Sequence, residues 1–187
     1  MTDFFALLGL PRRPAVDEGF LQERYLRLAA AWHPDGSDGD VEKFRELQEA
    51  RKTLFDPAAR LRHLLVLEGY EGKDGGAHGA PELFLEVAGA LDAVKRVRNR
   101  LTEARSAIGR AALEPERRRV EQQLLRVSDQ IATAWNGALE QLGCEDARWP
   151  SSDLPQLERI GKKVVFLARW RKELREGLFS LQNITGA

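Results

Sequence analysis

Trp32-His33-Pro34-Asp35-Gly36 separates two amphipathic patterns, and its reading decides the fold. Before it, Leu21, Tyr25, Leu28 and Trp32 recur at helical spacing, with Arg24 and Arg27 together on a neighbouring face. After it, Phe44, Leu47, Ala50, Arg51 and Leu54 begin a second helical pattern. Pro34 cannot sit inside a regular helix and pushes His33 out of the helical region, so the chain must turn here. The residues therefore predict two helices joined by a loop that presents His-Pro-Asp.

Working outward, Asp3-Phe4-Phe5-Ala6-Leu7-Leu8-Gly9-Leu10-Pro11 reads as a short apolar helix stopped by Gly9 and Pro11, too short to stand without packing on the hairpin. Asp17 and Asp40 are expected to cap the two hairpin helices. Ser37 and Asp38 read as turn residues between them. Asp56-Pro57 opens a fourth helix, from Ala58 to about Glu68, with Leu61, Leu64, Leu65 and Leu67 as its apolar side. Gly69 to Pro81 holds five glycines in thirteen residues and reads as the linker; His78 within it has no visible partner and is assigned no role.

Three long patterns follow. The first runs from Phe84 through Leu101 to Ile108. The second enters through Glu114-Pro115 and stops at Gly143. The third enters at Asp153-Leu154-Pro155 and continues through Leu157, Ile160, Val164, Leu167, Leu174, Leu178 and Leu181, with Arg171 breaking the step. Each has one apolar stripe, and three such helices bury their stripes best as an antiparallel bundle. Trp135, Trp149 and Phe179 are expected in the core or at its edge. No strand-like alternation of useful length occurs. The fold class is all-α.

Hydrophobic residues make up 43% of the 187 and charged residues 31%, which fits a helix-rich globular chain rather than disorder. Net charge is zero and the pI is near 6.9, so no global field recruits nucleic acid or an anionic membrane. Residues 1–70 carry 10 Lys and Arg against 12 Asp and Glu, and residues 71–187 carry 19 against 17. The single cysteine, Cys144, excludes an internal disulfide, and with His33, His63 and His78 scattered no metal constellation forms. No cofactor is expected. Met1-Thr2-Asp3-Phe4 lacks a charged leader, and no apolar run approaches about 18 residues. The expected compartment is a reducing cytoplasm.

With Tyr25-Leu26-Arg27-Leu28-Ala29 upstream, Phe44-Arg45-Glu46-Leu47-Gln48-Glu49-Ala50 downstream and Asp56-Pro57 beyond, the loop resembles that of the J domain of DnaJ-type co-chaperones. The opening residues 3–11, the run Ala59-Arg60-Leu61-Arg62-His63-Leu64-Leu65-Val66-Leu67-Glu68-Gly69-Tyr70 and Val165-Phe166-Leu167-Ala168-Arg169-Trp170 are similar to the HscB type. That family serves iron–sulfur cluster assembly and carries a three-helix bundle after its J domain. The resemblance implies a J domain at 1–70, a Gly-rich linker at 71–80 and a client-binding bundle at 81–187.

The resemblance also implies roles. Asp35 would pair with an arginine of a DnaK-type ATPase, His33 and Pro34 would hold the loop, and Arg24 and Arg27 would form the basic face that meets that chaperone. Leu26, Ala30 and Ala31 are uncharged where many J domains are basic, and Gly36 follows Asp35, which implies a weak or partner-specific interaction. In the bundle, Phe84, Leu85, Glu86, Ala88, Phe166 and Trp170 fall where the family holds an iron–sulfur scaffold protein. Leu85, Phe166 and Trp170 stand off their stripes, where they could form an exposed patch. Ala88, Gly89 and Ala90 replace bulkier and acidic residues, so the client could instead be a different protein. An enzyme using His33 with Asp35 as acid and base is discounted, because no second catalytic group accompanies them.

Overall fold

Four aspartates set where the N-terminal helices begin. In a computed structural model describing residues 2–36, 39–72 and 81–183, Asp3 accepts the N–H groups of Phe5 and Ala6, opening α1 (Phe4–Leu7). Asp17 accepts Phe20 N–H at the start of α2 (Glu18–Trp32), and Asp40 accepts Lys43 N–H at the start of α3 (Val41–Leu54). Asp56 accepts the N–H groups of Ala58 and Ala59 at α4 (Pro57–Leu67), with Pro57 in the first turn. Each such cap stabilises a helix by about 1 kcal/mol. Two glycines do the stopping: Gly9 (φ 63°) after α1 and Gly69 (φ 68°) after α4 adopt the left-handed conformation that closes a helix C-terminus.

These short helices hold because α3 is shared. It packs on α1, α2 and α4, and its buried edge, Leu47, Ala50 and Leu54, meets Phe5, Leu8, Leu21 and Leu64, all at 0% exposure. Burying each large apolar side chain contributes about 1.5–3 kcal/mol, which the isolated helices lack. Arg60 is buried among these elements, its Nε donating to the Pro14 carbonyl (3.1 Å) and its Nη1 to the Leu54 carbonyl (2.8 Å). Burial pulls its pKa down, while Glu18, Asp56 and Asp146 act against that shift.

The C-terminal helices are α5 (Pro81–Glu103), α6 (Ala107–Arg148) and α7 (Leu154–Asn183), forming the antiparallel three-helix bundle. No strand occurs among the described residues. Three boundaries differ from those read in the sequence. The helix starting near 81 ends at Glu103, and Ile108 belongs to α6, where it is exposed. α6 begins at Ala107 because Ser106 Oγ accepts Gly109 N–H (3.0 Å); Pro115 lies inside the helix rather than opening it. Gly143 does not stop α6. Leu142 and Glu145 both remain buried around it, and the Glu145 carboxylate accepts Asp153 N–H (3.4 Å) from the turn into α7.

The stripe of α7 does not break. Trp170 fills the buried position between Leu167 and Leu174, while Arg171 lies over the Trp135 ring at 4.7 Å. Phe179, expected in the core or at its edge, is 69% exposed. His78 and most of the expected linker lie outside the described residues, as do Ser37 and Asp38.

The chain divides into two compact units, Met1–Ala77 with Leu139–Val164 and His78–Ala138 with Val165–Ala187. Within the first, the Asp146 carboxylate pairs with Arg13 (2.8 Å) and accepts Ala15 N–H (3.0 Å). Tyr70 Oη donates to Glu158 (3.1 Å), and Trp149 packs on the Phe5–Leu47 core.

His63 carries more of this unit than its sequence position indicates. Its Nε2 accepts Phe4 N–H (3.1 Å), and its ring stacks on Phe4 (4.8 Å) and Phe5 (5.8 Å). Burial lowers its pKa, with Asp3 acting against the shift and Arg12 with it. A histidine held neutral by the fold gives stability that is complete above its unfolded pKa of about 6.5 and lost as pH falls below it. Denaturant unfolding followed across pH 7.5 to 5 should therefore show stability falling with pH, through roughly the range expected for one histidine. In His63→Gln that slope should flatten. An unchanged slope would assign it to another group. Asp3 titrates in a lower window: burial would raise its pKa, but bonds from Ala6 N–H, Arg12 and Phe5 N–H hold it below the usual carboxylate value.

Candidate functional site

The loop after α2 is shaped by three local facts. Pro34 keeps His33 extended (φ −58°, ψ 131°), which ends the helix at Trp32. The backbone then closes on itself: Gly36 N–H donates to the His33 carbonyl (2.9 Å) and Asp40 N–H to the Trp32 carbonyl (3.3 Å). Gly39 passes so close that a Cβ there would lie 2.4 Å from the His33 carbonyl oxygen and 2.8 Å from that of Pro34. Only glycine fits. The tight packing of Gly39 is not legible from the chain alone.

His33 is clamped within this loop. Its ring meets Phe44 of α3 edge-on at 5.3 Å, and its Nδ1 accepts Asp35 N–H (3.3 Å). Nδ1 also lies 3.8 Å from an Asp35 carboxylate oxygen. The Asp35 side chain is 91% exposed. A carboxylate on a backbone fixed from both sides, with nearly all its surface open, is arranged to receive a partner's guanidinium at low ordering cost.

The basic pair on α2 is divided by the structure. Arg27 is exposed. Arg24 instead folds back, its Nε donating to the Leu8 carbonyl at the end of α1 (2.9 Å), and its Nη2 lies where a Cβ on Gly9 would be, 2.1 Å away. Gly9 is thus needed both for its positive φ and for this approach. The open face of α2 beside Arg27 carries Phe20 (45% exposed) and Leu26 (54% exposed).

In the second unit the aromatic residues expected at a client site come together. Trp170 lies 6.4 Å from Phe84 and 6.1 Å from Phe166, ring centre to ring centre. Trp170 is not part of the surface, being 6% exposed; it forms the floor under the half-buried Phe166 and the exposed Phe84. Leu85 is 77% exposed, and Glu86 and Ala88 are also exposed. Trp170 continues the Leu167–Leu174 stripe in steps of three and four, whereas Leu85 lies one step off the stripe of α5. No group of His, Cys, Asp or Glu among the described residues could hold a metal ion. No helix there is long and apolar enough to cross a membrane.

The DnaJ domain family matches residues 3–63. The "Co-chaperone protein HscB homolog" of Azoarcus sp. (strain BH72) is 28% identical over 190 residues, 97% of this chain and 96% of that protein. The "Chaperone protein DnaJ" of Bacillus cytotoxicus is 36% identical over 90 residues, 44% of this chain but only 24% of that protein, so the likeness there covers only part of each chain. Among solved structures, "Chaperone HscB from Vibrio cholerae" superposes with a TM-score of 0.60 at 19% identity, covering 94% of this chain and 96% of that one, which shows a shared fold. Residues 3–63 thus belong to the DnaJ domain family, and over 97% of its length the chain is similar to a protein named as an HscB co-chaperone homolog.

Proposed function

We propose that this protein is a co-chaperone which stimulates the ATPase of a DnaK-type chaperone through His33-Pro34-Asp35 and delivers a client held by its bundle. The observation that carries the first part is Asp35, a nearly fully exposed carboxylate on a loop locked by Pro34, Gly39 and the His33–Phe44 contact. Arg27 is the cation positioned to steer the encounter, while Arg24 supports the fold through Leu8. On this reading residues 1–70 face the chaperone, 71–80 link, and 81–187 bind the client.

The client in this reading is an iron–sulfur scaffold protein. Whole-length similarity to proteins named HscB and the exposed Phe84, Leu85 and Glu86 beside Phe166 support it. The second reading keeps the ATPase role and gives the bundle a different protein client. It is favoured by the small, uncharged Ala88 and Gly89.

Steady-state ATPase assays with the host's DnaK-type chaperone test the first part. Asp35→Asn should reduce stimulation by about tenfold or more, the loss of one charge-assisted contact, while leaving the melting temperature unchanged. Retained stimulation would remove Asp35 from the role. Gly39→Ala should lose stimulation and also about 1–3 kcal/mol of stability, because the added Cβ strikes backbone. Calorimetric titration with the host's iron–sulfur scaffold protein tests the second part. Micromolar binding abolished by Leu85→Ser with Phe166→Ser would establish the scaffold as client, and absence of binding by the unaltered protein would favour the other client.

A further inference from the structure

The charge of this chain is unevenly placed. Residues 95–119 hold nine Lys and Arg against three Glu, although the whole chain is neutral. One exposed face of the first turns of α6 carries Arg119 from this excess, and Arg126 beyond it. Ile108, Ala112, Pro115, Arg119, Gln122 and Arg126 follow one another in alternating steps of four and three, and every one is exposed. The buried positions of the same helix, Leu113, Val120, Leu124 and Val127, lie on the opposite side and cover the bundle core. The stripe contains no carboxylate until Asp129. It spans about 27 Å at helical rise.

The two halves of the stripe differ in chemistry. Ile108 is 84% exposed, the largest exposure of any large apolar side chain described, and is continued by Ala112 and Pro115. Proline inside the helix also removes the ladder bond to the Ala111 carbonyl. Arg119 and Arg126 then supply the cations. They stand apart from Arg117 and Arg118, which are engaged by Glu114; side-chain bonds from Arg117 and Arg118 hold that carboxyl down to about 2. Arg100 is likewise paired, with Glu116. No ion pair within the described residues uses Arg105, Arg119 or Arg126.

We propose that this face of α6 docks an acidic amphipathic helix of a partner protein, with Ile108 as apolar anchor and Arg119 and Arg126 as its charge contacts. Steps of three and four match the repeat of a facing helix, and with no carboxylate on the stripe its only charges, Arg119 and Arg126, are positive and follow the apolar half. Nucleic acid fits less well, since no aromatic residue lies between Leu85 and Ala134 to stack a base. A membrane would gain one isoleucine, a small apolar area for stable insertion. The stripe shares no residue with the Phe84, Leu85, Phe166 and Trp170 group.

Fluorescence anisotropy of the full chain with a labelled Glu/Leu peptide, its leucines at three-and-four spacing, tests this at about 0.15 M salt. Peptide of the same composition in scrambled order, oligo-dT and phosphatidylserine vesicles serve as competing probes. The ordered peptide should bind at least about tenfold more tightly than the scrambled one. Arg119→Glu with Arg126→Glu should weaken it by a further order of magnitude, and Ile108→Ser by several-fold. All of these positions are exposed, so melting temperatures should not change; Arg119→Gln with Arg126→Gln gives a milder version. Equal binding of the scrambled peptide, insensitivity to either substitution, absence of peptide binding, or preference for oligo-dT or vesicles would each overturn the proposal.

Discussion

The N-terminal unit depends on the coverage of one helix edge. α3 is fourteen residues long, of a length that is marginal alone in water, and its Leu47-Ala50-Leu54 edge is buried by α1, α2 and α4 together. α1, at four residues, has even less independent stability. Its place is fixed by Phe5 and Leu8 in that core, by Asp3 at its start, by Arg24 at its end and by His63 from beneath. A short helix thus persists because tertiary contacts satisfy both of its ends.

The same scaffold explains how Asp35 can be both fixed and open. Ordering an exposed side chain on a mobile loop would subtract from any binding energy it later provides. Here the ordering is done by groups other than the carboxylate: proline sets one backbone angle, glycine permits the close return of the chain, and an imidazole edge rests on Phe44. Arg24 shows the complementary economy. A cation that sequence position assigns to a partner-facing surface is consumed inside the fold, leaving the exposed side of α2 more apolar than its composition indicates.

Much of this was legible in the chain. Caps at Asp17, Asp40 and Asp56 and the break at Pro34 are local chemistry, and local chemistry is what residues state directly. The misplaced ends of α5 and α6 came from treating Pro115 as a start and Gly143 as a stop; in a long helix packed on one side, burial of Leu142 and Glu145 outweighs the propensity of one glycine. Trp170 is buried because it continues the three-and-four spacing of Leu167 and Leu174, with Arg171 the residue beside the stripe, and Phe179 is exposed because it falls outside that spacing. His63 and Arg60 were invisible for a different reason: each is defined by partners dozens of positions away, as with Phe4 and Pro14.

The grouping of Leu139–Val164 with the N-terminal unit has a consequence for how the molecule is made. Arg13 and Asp146 are separated by 133 positions, and Tyr70 and Glu158 by 88. On a ribosome the hairpin emerges long before the segment that Arg13, Ala15, Trp149 and Tyr70 require. Closing loops of that length is slow compared with forming helices. The N-terminal unit therefore spends part of synthesis incomplete, with the surface that will receive Trp149 uncovered, and reaches its final form only when most of the chain has been translated.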